Sequence, residues 1–207
     1  MTCPSIKSVA FALLLGMATA APASAAYIVD TGTPDAIAVL TFDASQYFAG
    51  EFSVGTNTTI TGAEGLFWFD SEAQGSLTVS LHADNGHLPG AVLSSASFDI
   101  VPNDYDWYGF TSGLEWNVSA GTYWISFIPG DGLAGDMIGL APNPLSEYAF
   151  GGDGEWLDLG PDAFDDIALA VRVSGHATAP DVPEPAAIGL IGLGVLGVSA
   201  VRRRRLS

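Results

Sequence analysis

Carboxylates dominate the reactive groups of this 207-residue chain, with 23 Asp and Glu against 6 Lys and Arg. Asp70, Glu72, Asp84, Asp131, Asp136, Asp153, Asp162, Asp165 and Asp166 fall in or beside predicted turns. Calcium takes about six to eight oxygen ligands, and a cation relieves crowded like charge. The candidate cluster for Ca²⁺ is Asp162, Asp165 and Asp166, with Asp153 nearby in sequence. No EF-hand spacing or calcium-binding nonapeptide repeat accompanies it, so solvated turn formers are the stronger reading, and no other cofactor is expected. The five tryptophans are Trp68, Trp107, Trp116, Trp124 and Trp156. Aromatic rings stack on sugar faces but also fill sandwich cores. Trp107 and Trp156 sit beside loops and are the exposed candidates for glycan binding.

Other constellations are incomplete. His82 and His87 flank Asp84, but a metal site normally needs three or four protein ligands and nothing supplies the rest. No G-x-S-x-G elbow marks a serine nucleophile, and no glycine-rich phosphate loop follows a strand. Carboxylate pairs suited to glycoside hydrolysis are numerous, and nothing in the sequence selects one. Asn57-Thr58-Thr59 and Asn117-Val118-Ser119 fit the N-glycosylation pattern but read as ordinary strand and turn residues. No catalytic residue is assigned and no enzymatic activity is expected.

The basic residues are Lys7, Arg172 and the run Arg202, Arg203, Arg204, Arg205. From Ala26 to Pro183 the chain holds every acidic residue except Glu184, and Arg172 is its one cation other than histidine. Such a body repels phosphate, which excludes nucleic acid as a partner. The single cysteine, Cys3, lies in a segment expected to be removed, so neither disulfides nor thiol chemistry are available to the mature protein.

The elements that must position these groups are strands. Phe48, Gly50, Phe52 and Val54 alternate with Tyr47, Ala49, Glu51 and Ser53, and Leu77, Val79 and Leu81 alternate with Thr78, Ser80 and His82. Tyr123, Ile125 and Phe127 alternate with Trp124, Ser126 and Ile128, so one face of that strand is expected to be less buried than the other. Ile167, Leu169, Val171 and Val173 share a side opposite Ala168, Ala170 and Arg172. Further strands are expected at Ala36 to Phe42, Leu66 to Phe69, Ala96 to Val101, Trp107 to Thr111 and Met137 to Leu140. With turns at Asp84-Asn85-Gly86, Pro102-Asn103-Asp104 and Pro129-Gly130-Asp131-Gly132, about nine or ten strands imply an all-β, antiparallel β-sandwich of jelly-roll type over residues 26–179.

Both ends carry addresses. Lys7, the apolar run Val9 to Met17 and Ala23-Ser24-Ala25 read as a signal peptide over 1–25, cut by signal peptidase after Ala25. Residues 180–207 hold Val182-Pro183-Glu184-Pro185, an apolar stretch from Ala186 to Val201 and the arginines. As a helix the stretch spans about 24 Å, which snorkelling and local thinning reconcile with a hydrocarbon core of about 30 Å. A single transmembrane helix over 186–201 is therefore expected, with Arg202 to Arg205 as the cytoplasmic stop.

The ordered set Val182-Pro183-Glu184-Pro185, glycine-rich apolar helix and terminal arginines resembles the PEP-CTERM sorting signal of exported bacterial proteins, a segment also described as a C-terminal domain of ice-binding proteins. The resemblance implies an exosortase-type membrane transpeptidase as partner, recognition at Pro183-Glu184-Pro185, membrane anchoring before processing, and a cell-surface or extracellular destination. It carries no implication of ice binding. Ser76 to Gly90, Ser119 to Ser126 and Ala168 to Gly175 are similar to the exported choice-of-anchor β-sandwich modules that often precede such a signal. The expected function is a non-catalytic structural or adhesive module of surface or matrix. A carbohydrate-binding module and a polysaccharide-active hydrolase are the alternatives, and extracellular polysaccharide is a plausible partner of each.

Overall fold

Period-two alternation without a sustained helical period is realised as strands throughout the described chain. A computed structural model describes residues 26–36, 38–157 and 168–178. The expected signal peptide, the sorting segment with its helix over 186–201, and Asp162, Asp165 and Asp166 lie outside the described residues. Those residues form thirteen strands in two antiparallel sheets.

The first sheet contains β1 (Ala26–Asp30), β2 (Ala38–Phe42), β4 (Thr58–Phe69), β7 (Asp104–Phe110), β8 (Trp116–Val118), β10 (Gly135–Gly139) and β13 (Val171–Ala177). The second runs in the order β12 (Glu155–Leu157), β11 (Tyr148–Gly152), β3 (Tyr47–Val54), β9 (Gly121–Pro129), β5 (Ser76–Asp84) and β6 (Pro89–Asp99). Sequence neighbours pair as hairpins at β5–β6 and β11–β12. Most other connections carry the chain from one sheet to the other.

β4 organises the first sheet. One of its edges pairs with β8 through Thr58–Ile60 and with β7 through Ala63–Phe69. The other pairs with β13 from Thr58 to Gly65 and with β10 at Phe67 and Trp68. Residues 168–170 wedge into the fork between β4 and β10: Leu66 N donates to the Ala170 carbonyl, and Ala170 N donates to the Ile138 carbonyl, each at 3.0 Å. Buried Thr31 ties β13 to the chain after β1, its N–H and hydroxyl reaching the Val171 carbonyl at 3.1 and 3.0 Å.

The inner faces meet in one aromatic core. Phe42, Phe67 and Phe69 from the first sheet join Phe48 and Phe127 from the second, all within 1% of full burial. Phe67 spans the gap, with ring centroids 4.8 Å from Phe42 and 5.6 Å from Phe127. Burying each such ring contributes up to about 3 kcal/mol. The two sheets thus form a β-sandwich.

Four strands, β1, β8, β11 and β12, have no counterpart in the sequence expectations, and each is five residues or shorter. β4 is longer than the expected Leu66 to Phe69. Its alternation is broken where the register with β13 shifts at Ser174/Gly175, so the inward positions change parity between Ile60 and Ala63. Gly109 of β7, at φ +148°, lies so close to β4 that a Cβ there would meet the Ala63 carbonyl.

Candidate functional site on the outer faces

The two sheets present very different outer faces. On the second sheet, Trp124 and Ser126 point away from the core, yet both are fully buried. The expectation of a less buried face on β9 is therefore corrected: β9 lies inside the sheet, and side chains from both of its flanks close over the outer side. Leu88, from the β5–β6 turn, and Trp156, from β12, pack on Ala49, Trp124 and Ala149. Trp156 meets Tyr47 and His82 in edge-on contacts at 5.1 and 5.7 Å. The Trp124 indole N–H donates to Asp84 Oδ1 at 3.0 Å, and this bond holds the Asp84 carboxyl below its usual range.

Beneath this cover lies a pair that the sequence reading did not identify. His82 Nδ1 is 3.1 Å from the Gly90 carbonyl, and His82 Nε2 is 2.9 Å from Ser126 Oγ. A carbonyl only accepts, so Nδ1 carries the proton and the neutral ring accepts the Ser126 hydroxyl proton at Nε2. The distance matches a nucleophile with its base. However, His82 is 2% exposed and Ser126 is 0%, so no substrate carbonyl reaches the hydroxyl. Burial pushes the imidazole pKa down, which keeps the ring neutral, and the pair acts as a buried polar link between β5 and β9. The sequence carries no signal for it, because Ser80, His82 and Ser126 all alternate with core residues as solvent-facing positions do.

At the rim of this face, His87 adopts a left-handed conformation with φ 75° and reaches Glu147, with Nδ1 2.6 Å from Oε1. That contact raises the His87 pKa. Nearby, Ser146 Oγ donates to Glu51 Oε1 at 2.8 Å. The β5–β6 turn is thereby clasped to the segment before β11.

The outer face of the first sheet is closed in its middle, where the outward Leu66, Ile138 and Ala170 are buried together with Trp107 and Ala168 packed against them, and is exposed toward its two ends. Strand registers arrange it in rows across β4. One row is Asn117–Thr59–His176, from β8 to β13. The next is Gly109–Glu64–Arg172–Asp30. The last is Tyr105–Trp68–Asp136–Thr41, from β7 to β2. Around the first row lies a cleft of about 490 Å³ lined by Thr59, Thr61, Ser112, Glu115, Asn117 and His176, among others. Thr59 Oγ1 donates to Asn117 Oδ1 at 2.7 Å.

In the middle row Arg172 is already engaged. Its guanidinium carbon lies 3.8 Å from the Trp107 ring centroid and 5.5 Å from that of Tyr27, and its Nε donates to Asp30 Oδ1 at 3.1 Å. Glu64 is 9% exposed. Burial pushes its carboxyl up, Arg172 opposes that rise, and Asp106 adds to it.

In the last row Trp68 is 44% exposed and Tyr105 is 36% exposed. Trp68 is the exposed tryptophan of the sandwich. The sequence-based choices, Trp107 and Trp156, are both half-buried, one under Arg172 and the other against Tyr47 and His82. Proximity to loops does not decide exposure here, whereas alternation inside Leu66-Phe67-Trp68-Phe69 places Trp68 outward between the buried Phe67 and Phe69.

Of the candidate calcium ligands, Asp153 is described. It is exposed in the β11–β12 turn with φ 52°. Among the described residues no group of three or more His, Cys, Asp or Glu is placed to hold a metal ion, and no helix is long and apolar enough to cross a membrane. Residues 181–205 match the PEP-CTERM protein-sorting motif. They include Val182, Pro183, Glu184, Pro185 and Arg202 to Arg205. No curated protein matches the chain.

Proposed function

We propose that this is an exported bacterial protein of the cell surface or extracellular matrix, sorted by an exosortase-type transpeptidase and presenting a non-catalytic structural or adhesive β-sandwich of jelly-roll type. The observation that carries the proposal is the sorting-motif match over residues 181–205. In this reading signal peptidase cuts after Ala25, the helix over 186–201 holds the precursor in the membrane, and the transpeptidase acts at or near Pro183-Glu184-Pro185. The acidic sandwich suits an extracellular setting, where net charge keeps a protein dispersed.

The test is cell fractionation with intact-mass measurement. The expected product is extracytoplasmic, begins at Ala26 and lacks Arg202 to Arg205 in cells with an active exosortase. A cytoplasmic product that retains Met1 overturns the reading. Retention of the arginines in exosortase-active cells reduces the segment to a plain anchor.

A second reading, a carbohydrate-binding module, is favoured by the exposed Trp68–Tyr105 pair beside Asp136 on the outer sheet face. The hydrolase alternative has no comparable support: the buried Ser126–His82 pair is inaccessible, and the raised pKa of Glu64 follows from burial.

A further inference from the structure

We propose that the outer face of the first sheet binds a linear polysaccharide of neutral or amino sugars at two places, the Thr59 cleft and the exposed Trp68, with the polymer bridging the covered patch around Leu66 between them. This rests on the carbohydrate-binding reading and gives it a site, a direction and a ligand class.

Two separate features lie on that one face. At one end is the hydroxyl- and amide-lined cleft around Thr59, Asn117 and His176. At the other is the exposed Trp68 with Tyr105 directly opposite on β7. Thr59 and Trp68 are nine strand positions apart, a distance of about 30 Å at about 3.3 Å per residue. A single sugar reaches one end only, whereas an extended polymer covers both.

The chemistry of the face selects the polymer. Asp136 and Glu115 offer only acceptors when ionised, so the ligand must bring donors, which sugar hydroxyls and ammonium groups supply. Trp68 and Tyr105 offer ring faces suited to the C–H side of a pyranose, with polar groups alongside. A peptide strand is less suited, because it adds to a free sheet edge and β4 is paired on both edges. Uronate, sulfate and phosphate polymers are repelled by the carboxylates. Arg172 does not reverse this, because its guanidinium is stacked on Trp107 and bonded to Asp30.

The experiment is affinity electrophoresis of the full-length chain in mild detergent. The gels contain glucomannan, galactomannan, hydroxyethylcellulose, glycol chitosan or, as the acidic comparison, alginate. Retardation is expected in at least one neutral or amino polymer and not in alginate. Trp68→Ala and Tyr105→Ala should weaken it by about tenfold, the scale of a lost aromatic contact. Asn117→Ala and His176→Ala, at the far end, should weaken it measurably, and long oligosaccharides should compete better than a disaccharide of the same sugar. His87→Ala, on the opposite face, should bind as the unmodified protein does, and melting curves verify that each variant is folded. Retardation in none of these polymers overturns the proposal, as does equal retardation in alginate. Insensitivity of folded variants at either end, or equal competition by a disaccharide, overturns binding at two places. Processing at the two termini is read separately, so failure here leaves the sorting proposal standing, and failure of sorting leaves this measurement interpretable.

Discussion

The outer faces of the two sheets start from the same pattern, apolar residues inward and mixed residues outward, and end covered to different extents. On the second sheet the outward residues Trp124, Ser126, Ser80 and His82 are sealed under a turn and a short hairpin, with every described buried side-chain N and O hydrogen-bonded. On the first, cover stops at the patch of Leu66, Ile138 and Ala170, and Trp68 and Tyr105 remain in contact with solvent although Trp68 sits on the central strand. The sealed face holds a small core of its own that adds stability. The open face forgoes the free energy of burying two aromatic rings, which makes it the place to look for a ligand.

The largest expected effect separates two tryptophans. Trp124→Ala removes a fully buried ring and leaves the Asp84 carboxylate without its indole donor, so it should cost about 3–5 kcal/mol and lower the melting temperature by about 10 °C or more. Trp68→Ala should cost under about 1 kcal/mol, because much of that ring is already in water. Thermal denaturation of both variants checks this. Equal losses would mean that the faces do not differ and that Trp68 is a structural residue.

How much of this contrast is legible in the sequence depends on whether the deciding contact is local. Strand positions in β3, β5 and β9 follow from alternation, because that pattern is written within a few residues. The turns at Asp84-Asn85-Gly86 and Pro129-Gly130-Asp131-Gly132 follow from Gly, Asn and Pro chemistry. Which outward residues become buried is not local. Trp124 is covered by Leu88 and Trp156, 36 residues before and 32 after it in the chain. Trp107 is covered by Arg172, 65 residues later. β1 and β8 are equally hard to foresee, because such short strands are defined by the partner they pair with. The sorting segment was legible because it works as a linear signal in which the order of residues carries the information.

The next effect, smaller than the loss of Trp124, comes from His82. Burial depresses its pKa, so the folded state takes up a proton less readily than the unfolded chain, whose imidazole titrates near about 6.5. The stability it contributes is therefore fully present above that value and is lost as pH falls from about 6.5 toward the depressed folded value. Denaturant midpoints measured between pH 7.5 and 5 should fall over that window in the unmodified protein, and less steeply in His82→Ala. That variant should itself cost about 1–3 kcal/mol by leaving Ser126 with only the Ser80 carbonyl at 3.5 Å and the Gly90 carbonyl without its imidazole donor. A pH slope unchanged by the substitution would mean that His82 is not held neutral by the sealed face.

The smallest effect belongs to His87, at the exposed rim, and it has the opposite sign. Its hydrogen bond to Glu147 and the attraction of that carboxylate raise its pKa, with Glu51 and Asp84 adding to the rise. The folded state therefore binds the proton more tightly than the unfolded chain does. The resulting stabilisation is present below about 6.5 and disappears as pH rises through the elevated folded value. Because His87 is solvent-exposed, salt should weaken the pair. Proton NMR should show His87 titrating above the ordinary imidazole value and His82 below it, with Glu147→Gln returning His87 toward the ordinary value and leaving His82 in place. The two histidines are five residues apart on one hairpin, so their shifts report directly on where the sealed face ends. If both titrate at the ordinary value, the β5–β6 turn does not close over Trp124 in solution, and the contrast between the faces is lost on the side where it was drawn most sharply.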